Sequence, residues 1–363
     1  MLTKYDEWTC HQVVETFDAV GTSDRAWTEK IWLNLHDLRG ELVVACGLGV
    51  YPNRDVLDGF ACANVGNKVQ TNVRASRALR PRIAELAVGP LRYEVIEPFE
   101  RIRVRSDDDS QGLKLDVEFL GRMQPLEEEP QFGRSKGRVF VHTQRYAQLG
   151  RARGWVEVDG RRFSVDEEGF RAQRDHSWGI RMGVGAPETG VQMPDVASFT
   201  SMMINWLVLQ FGDWGVQCYL IERGDGRVER LTGALVHPLG SDRQPIPITR
   251  VEHDYSYHAG APRMRAGTVT FHLADGGRKR IEMDELTTMY LRGGGYLGVD
   301  DYFHGLWMGD DWRAGERWQV DRQEAADRAH GLNDTVVACR CDGETGYGIV
   351  ENLILPPFPK YGY

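Results

Sequence analysis

Alternation of apolar and polar residues with a period of two is the feature that most constrains the fold of this 363-residue chain. In the segment LKLDVEF, Leu113, Leu115, Val117 and Phe119 occupy every second position, and charged residues fill the positions between them. Successive side chains of a strand point to opposite faces of the sheet, so this pattern predicts a half-buried antiparallel strand. The segment GTVTFHLADGGRKRIEM repeats the pattern around an Asp-Gly-Gly turn.

Helical periodicity is scarce by comparison. The segment SRALRPRIAEL is interrupted by Pro81, and DRQEAADRAHGL is long enough for only about three helical turns. The 41 glycines fit a chain with many turns, bulges and sheet corners. These patterns indicate an all-β protein built as a barrel or a sandwich.

The length of the chain favours two domains of about 180 residues each, because single hydrophobic cores seldom grow beyond about 250–300 residues. The stretch GVGAPETGVQMPDVASFTS, near the middle of the chain, has no strand pattern. We therefore predict an N-terminal β-domain over residues 1–185, a linker over 186–200 and a C-terminal β-domain over 201–363.

Composition excludes several classes of protein. The formal net charge of −9 argues against a general nucleic-acid-binding protein. No apolar run approaches the ~18 residues of a membrane-spanning helix, and the first residues lack the apolar core of a signal peptide, so we expect a soluble, cytoplasmic protein. The six cysteines are too scattered for a disulfide framework, and the Cys339–Cys341 pair has no second pair to complete a zinc site.

The segment RDHSWGIR, residues 174–181, concentrates chemically versatile side chains. In a strand, Arg174, His176 and Trp178 share one face, and Asp175 and Ser177 share the other. Adjacent strand residues cannot converge on one another, and the chain has no GxSxG sequence, so a serine-hydrolase triad is excluded.

Two interpretations of the face with Arg174, His176 and Trp178 remain open. It forms the wall of a ligand site if it lines the inside of a barrel. Alternatively, it is an interior network in which the indole fills the core and the polar groups satisfy one another.

The segments VEVDGRRFSVDEEG and GFRAQRDHSWGIR together resemble the AttH and carotenoid 1,2-hydratase (hydroxyneurosporene synthase) superfamily. In that superfamily a strand with a D-H-x-W-G motif follows a hairpin, and the resemblance covers roughly residues 140–240. It implies two tandem lipocalin-like (calycin-type) antiparallel β-barrels with a ligand tunnel near their junction. It also implies addition of water to an isoprenoid alkene without a metal or an organic cofactor; relatives include cyclases of the Diels–Alderase type.

By this resemblance, the family's His-x-Trp pair corresponds to His176 and Trp178. The hydratases also use a carboxylic acid about 25 to 30 residues downstream of the motif. The matching window, TSMMINWLVL, contains no carboxylate: Asn205 is its polar residue, and the next acids are Asp213 and Glu222. Of these we predict Asp213 first, because it lies in the segment FGDWG, which we expect to form a turn at the mouth of the second barrel.

Protonation of an alkene near neutral pH requires an acid that keeps its proton there, whereas an imidazolium of pKa ~6.5 is largely deprotonated. This requirement points to a carboxylic acid kept neutral by an apolar pocket. His176 is better suited to deprotonating the attacking water. Trp178 would stabilise a cation through its π-face by about 0.5–2 kcal/mol. The candidate catalytic residues are therefore His176, Asp213 and Asp175, and the candidate substrate-binding residues are Trp178, Arg174, Asn205, Trp206 and Arg181.

The predicted function is that of a cofactor-independent hydro-lyase or isomerase that acts on an isoprenoid or similar apolar alkene or tertiary alcohol. The alternatives are a non-catalytic carrier of an apolar small molecule and a pericyclase of the Diels–Alderase type. The expected partner is an apolar small molecule, with no nucleic acid, no metal and no membrane span, and the chain is a possible homodimer.

Overall fold

The computed structural model describes residues 1–7, 9, 11–192, 200–259 and 263–363, and these residues are almost entirely β-structure. The one α-helix among them, α1, spans Gln323–Ala329, within the segment where the sequence predicts a short helix. Short 3-10 turns span Lys4–Glu7, Leu291–Gly294 and Pro359–Tyr361. No helix in the described ranges is long and apolar enough to cross a membrane.

The first part of the chain forms strands that belong to one antiparallel sheet. They are β1 (Trp27–Asp37), β2 (Leu42–Tyr51), β3 (Val56–Val65), β4 (Val69–Ala78), β5 (Ala87–Val88), β6 (Leu91–Glu97), β7 (Arg101–Asp107), β8 (Leu113–Gly121), β9 (Leu126–Glu127), β10 (Gln131–Ser135), β11 (Arg138–Val158), β12 (Arg161–Val165) and β13 (Phe170–Ile180).

The later strands form a closed barrel, apart from β20. They are β14 (Met202–Gln210), β15 (Gly215–Arg223), β16 (Val228–Val236), β17 (Ile246–Tyr257), β18 (Met264–Leu273), β19 (Arg278–Tyr290), β20 (Trp312–Gln319), β21 (Asn333–Cys341) and β22 (Glu344–Leu355).

The strand order of the first sheet is β20-β4-β3-β2-β1-β13-β11-β8-β7-β6-β5, and β14 to β19 close into a ring with β21 and β22. The two curled antiparallel sheets confirm the predicted all-β, tandem-barrel class. Strand β20 pairs with β4, so part of the predicted domain 201–363 extends the first sheet. The domain boundaries remain a prediction, and residues 193–199 of the predicted linker lie outside the described residues.

Each sheet encloses its own apolar core. In the first, Leu115, Val117 and Phe119 of β8 are buried, as the alternation in LKLDVEF predicts. In the second, Leu207 of β14 and Phe271 of β18 are among the buried residues inside the barrel. Burial of this apolar surface is the main favourable contribution to folding.

A third apolar cluster joins the two sheets. Trp32 of β1 and Trp206 of β14 meet edge to face in it, with ring centroids 5.6 Å apart. Ala147 of β11, Val208 of β14 and Ile349 of β22 also belong to this cluster. The outer face of β1, β13 and β11 therefore packs on the outer face of β14, β22 and β21, and this contact is the junction.

Candidate functional site

Strand β13 carries the RDHSWGIR motif and lies between β1 and β11. One of its faces contacts the core of the first sheet, and the other contacts the junction. His176 is opposite Ile31 of β1 and Tyr146 of β11, and its face belongs to the core of the first sheet. Asp175 is opposite Trp32 and Ala147, which belong to the junction cluster. The acidic face of the motif is therefore the one at the junction.

The other face forms a hydrogen-bonded network around Arg174. Its Nε and Nη2 donate to Oε1 of Gln148 at 3.1 and 2.8 Å, and its Nη1 donates to the hydroxyl of Tyr146 at 3.0 Å. The guanidinium also lies over the ring of Phe119, 5.4 Å from its centroid. These contacts engage three N–H donors of the buried guanidinium, and no carboxylate of the described residues pairs with it.

His176 and Trp178 lie at the solvent-facing end of this network. His176 Nε2 is 2.8 Å from Oε1 of Glu29, its Nδ1 is 3.3 Å from the Tyr146 hydroxyl, and its ring meets Trp178 at 5.6 Å. The side chains of His176 and Glu29 are 26% and 52% exposed. The predicted His-x-Trp pair thus lies on the first sheet's inner face, whereas we expected it to line a pocket near the junction.

The junction encloses a small cavity of about 50 Å³, which has room for about one or two water molecules. Its walls combine charged and aromatic side chains from both sheets. They are Lys30, Trp32, Arg145, Asp175, Arg181, Trp206, Tyr296, Leu332 and Glu351.

Two carboxyl groups meet beside this cavity. Glu351 of β22 pairs in register with Trp206 of β14 on one side and with Asp334 of β21 on the other. Burial raises the pKa of Glu351 to about 7. Burial also raises the pKa of Asp334 well above its usual value, and the neighbouring charge of Glu351 raises it further.

Asp334 is fully buried, and its carboxyl group forms a hydrogen bond with that of Glu351 and with no other side chain of the described residues. Two carboxyl groups placed side by side away from water cannot both ionise readily, so the pair retains a proton near neutral pH. Glu351 exposes this pair to the cavity.

Basic residues from the first sheet face the carboxyl pair. Arg145 Nη2 is 2.7 Å from Oε2 of Glu128, and its Nη1 is 3.8 Å from Oδ2 of Asp175. Burial raises the pKa of Asp175, and the charges of Arg145 and Arg181 partly offset that effect. The pKa of Lys30 is lowered to about 7, mainly by burial and also by the charge of Arg181.

A wider groove of about 430 Å³ adjoins the cavity and shares Arg145 and Arg181 with it. On the barrel wall, Met202 pairs with Leu355 and Ile204 pairs with Leu353. The next pair in this register is Trp206 with Glu351, so the apolar wall leads directly to the acid. The apolar side chains that line the groove are Phe140, Val141, Met182, Met202, Ile204, Ile221, Leu297, Leu353 and Leu355.

The predicted site residues do not all lie in one site. Asp175, Arg181 and Trp206 meet at the junction cavity. Asn205 points into the barrel, where it accepts a hydrogen bond from Asn352 and donates one to the hydroxyl of Tyr255.

Asp213, the acid predicted first, lies in a turn with its side chain 77% exposed and 3.9 Å from Arg243. The predicted turn is present, but it does not bring Asp213 to the junction cavity. The physical reason is the alternation of β14, which directs Trp206 outward to the junction, whereas Asp213 follows the end of the strand.

Sequence reasoning missed Glu351, Asp334 and Lys30. A usable signal was present in the segment IVENLIL, where Glu351 takes a place in the alternate series with Ile349 and Leu353. A charged residue within an apolar stripe of a strand is expensive to bury and commonly has a functional role.

The glycine of the motif has a steric role that makes a testable prediction. Gly179 has φ +120°, and an added Cβ would lie 2.1 Å from the carbonyl oxygen of His142 on β11. We expect Gly179→Ala to destabilise the fold by about 1–3 kcal/mol. The matched control is Gly212→Ala, whose Cβ would meet nothing within 4 Å. Equal urea midpoints for the two variants would contradict this account.

The architecture places the chain in the class of tandem-barrel β-proteins. The fold matches the crystal structure of a protein from Nitrosomonas europaea assigned as AttH, with a TM-score of 0.54 and 12% identity over 90% of this chain and 92% of that chain. It also matches kievitone hydratase from Nectria haematococca, with a TM-score of 0.51 and 12% identity over 90% of this chain and 88% of that chain. At these identities the likeness is one of fold.

Within that class, the chain belongs to the family of unknown function DUF8625, whose model matches residues 2–363. Among curated proteins, none matches the sequence.

Proposed function

We propose that this protein is a cofactor-independent acid/base enzyme, a hydratase, dehydratase or isomerase, that acts on an apolar small molecule bound in the junction groove. One observation carries the proposal: an apolar groove ends at a pair of carboxyl groups, Glu351 and Asp334, set among basic and aromatic side chains. The shared fold with kievitone hydratase supports the same conclusion.

The geometry suits the chemistry of an apolar alkene. Protonation of the alkene needs a carboxylic acid that stays neutral near physiological pH. Burial, together with the charge of Asp175, favours that form of Glu351 by raising its pKa to about 7. In this proposal Glu351 donates a proton to the substrate carbon that enters from the groove. The cavity of about 50 Å³ has the size to hold the reacting water.

Asp175 is the base of the proposed mechanism. It lines the same cavity as Glu351, and Arg145, 3.8 Å away, favours its ionised form. An ionised Asp175 takes a proton from the attacking water as the new C–O bond forms. The reverse sequence, in which Asp175 protonates the leaving hydroxyl and Glu351 takes a proton from carbon, dehydrates a tertiary alcohol.

One observation favours a second candidate, a carrier of an apolar small molecule. The groove is much larger than the cavity, about 430 against 50 Å³, so a ligand can fill it without reaching the carboxyl pair. Such a carrier would bind the same apolar compounds and leave them unchanged.

Isotope incorporation separates these functions. We expect the wild-type protein to transfer heavy oxygen or deuterium from solvent water into at least one compound of a panel of isoprenoid alkenes and tertiary alcohols. Asp175→Asn removes the base and should lower the rate by about 10²–10⁴-fold. Asp213→Asn, in its exposed turn, is the matched control and should keep the wild-type rate. Tight binding of these compounds without incorporation in any variant would contradict the enzyme and support the carrier.

A further inference from the structure

Lys30 is a buried amine without an ionic partner. It is 4% exposed and lines the junction cavity. Its Nζ lies over the ring of Tyr296, 3.8 Å from the centroid, and is 5.9 Å from the centroid of Phe60. No hydrogen bond or ion pair links this nitrogen to any of the residues that the structure describes, although buried lysines are normally paired.

The charges around Lys30 come from both sheets. Burial is the largest effect and lowers its pKa to about 7, and Arg181 acts in the same direction. The carboxylates of Asp58, Asp175 and Glu351 act against it. A large fraction of the amine is therefore neutral and nucleophilic near neutral pH, unlike an ordinary lysine with a pKa of about 10.4.

We propose that Lys30 forms a Schiff base with the carbonyl group of an apolar aldehyde or ketone whose hydrocarbon chain lies in the groove. This inference rests on the groove and cavity of the proposed function and names the substrate class. A cavity of about 50 Å³ accommodates a terminal carbonyl group rather than a ring, and the groove beside it supplies the apolar walls for the chain.

The neighbouring carboxyls provide the proton transfers that the step requires. The neutral amine of Lys30 attacks the carbonyl carbon, a C–N bond forms, and the carbonyl oxygen takes a proton from Glu351. A proton lost from nitrogen returns through the carboxyls to the hydroxyl, which leaves as water as the C=N bond forms. One amine and one carbonyl thus give one imine and one water, with no oxidation or reduction.

The imine would also assist the proposed acid/base reaction. In a conjugated enal, a protonated imine withdraws electrons from the alkene and makes its β carbon electrophilic. Water in the cavity can then add to that carbon and lose a proton to Asp175, which leaves a neutral enamine. A carboxyl group of the cavity then returns a proton to the α carbon and restores the protonated imine, so that one water has been added across the alkene. Hydrolysis of the imine afterwards regenerates Lys30.

Reductive trapping tests this inference without requiring turnover. The full-length protein is incubated with citral, an isoprenoid aldehyde, and sodium cyanoborohydride, and adducts are mapped over the seven lysines of the chain. We expect the reduced adduct to concentrate at Lys30 and its yield to rise with pH through about 7. Geraniol, the corresponding alcohol, should give no adduct.

Two variants complete the test. Lys30→Arg should abolish the main reduced adduct. Lys68→Arg, at an exposed lysine, should leave that adduct unchanged. Labelling of the exposed lysines with none at Lys30 in the wild-type protein would overturn the inference, whether or not the variants fold. An adduct at Lys30 without isotope incorporation into any compound supports this inference and contradicts the proposed hydration, so the two can fail separately.

Discussion

Glu351→Gln is expected to lower the turnover number by about 10²–10⁴-fold, the usual contribution of a general acid. Glutamine keeps the size of the side chain and its place beside Trp206, but it cannot donate the proton that the substrate carbon requires. Glu324→Gln, at an exposed glutamate of α1, is the matched control and should retain wild-type turnover. Steady-state rates with a compound that incorporates isotope provide the measurement.

The assignment of Glu351 also predicts how turnover and stability change with pH. A general acid acts in its protonated form, so wild-type turnover should fall as the pH rises through about 7. The free energy of unfolding should also fall as the pH rises. The pKa of Glu351 is raised from 4.5 to about 7 in the folded state, so its contribution to stability is fully present below pH 4.5 and is lost as the pH rises through about 7. Glu351→Gln should lack that loss and remain folded at pH 8. Full activity of a folded Glu351→Gln protein would contradict the assignment of the acid.

Arg145→Met is expected to destabilise the protein by about 3 kcal/mol, at the lower end of the range for a broken buried ion pair. Arg145 is the cation between Glu128 and Asp175, whose side chains are only 7% and 15% exposed. Methionine preserves the apolar stem but leaves both carboxylates without this partner, away from water. The measurement is the midpoint of urea-induced unfolding, which tryptophan fluorescence monitors.

The control for this prediction lies on the same strand. Arg153 of β11 pairs with Glu118 at 2.6 Å, but its side chain is 48% exposed. Arg153→Met should therefore cost at most about 1 kcal/mol. The cost of Arg145→Met should shrink in acid, because protonation of Asp175 removes an unpaired charge. Equal midpoints for the two arginine variants would contradict the stabilising role of the buried ion pairs of Arg145.

Local pattern was sufficient to predict the strands and the class of fold. The alternation in LKLDVEF corresponds to β8, and the motif strand is β13 with the two faces that alternation requires. Alternation alone does not say what each face contacts, because that depends on how the outer face of the first sheet meets the barrel. For this reason alternation leaves open whether the His176 face lines a ligand site or an interior network, and the structure directs Asp175 to the junction.

The missing acid shows the limit of reasoning along the chain. We searched for a carboxylate just after the motif, near Asn205 and Trp206. Closure of the barrel pairs β14 with β22, so the acid beside Trp206 is Glu351, which comes from near the end of the sequence. The exchange of β20 into the first sheet depends likewise on long-range pairing that no local pattern indicates.

The central claim is that the junction holds a carboxyl group that stays protonated at neutral pH. Infrared difference spectroscopy, recorded as the pH is varied, detects a protonated carboxyl directly through its C=O stretch. We predict a band that titrates near pH 7 in the wild-type protein and is absent from Glu351→Gln. A wild-type spectrum without a protonated carboxyl above pH 6, or a band titrating near pH 7 that survives unchanged in Glu351→Gln, would contradict the account.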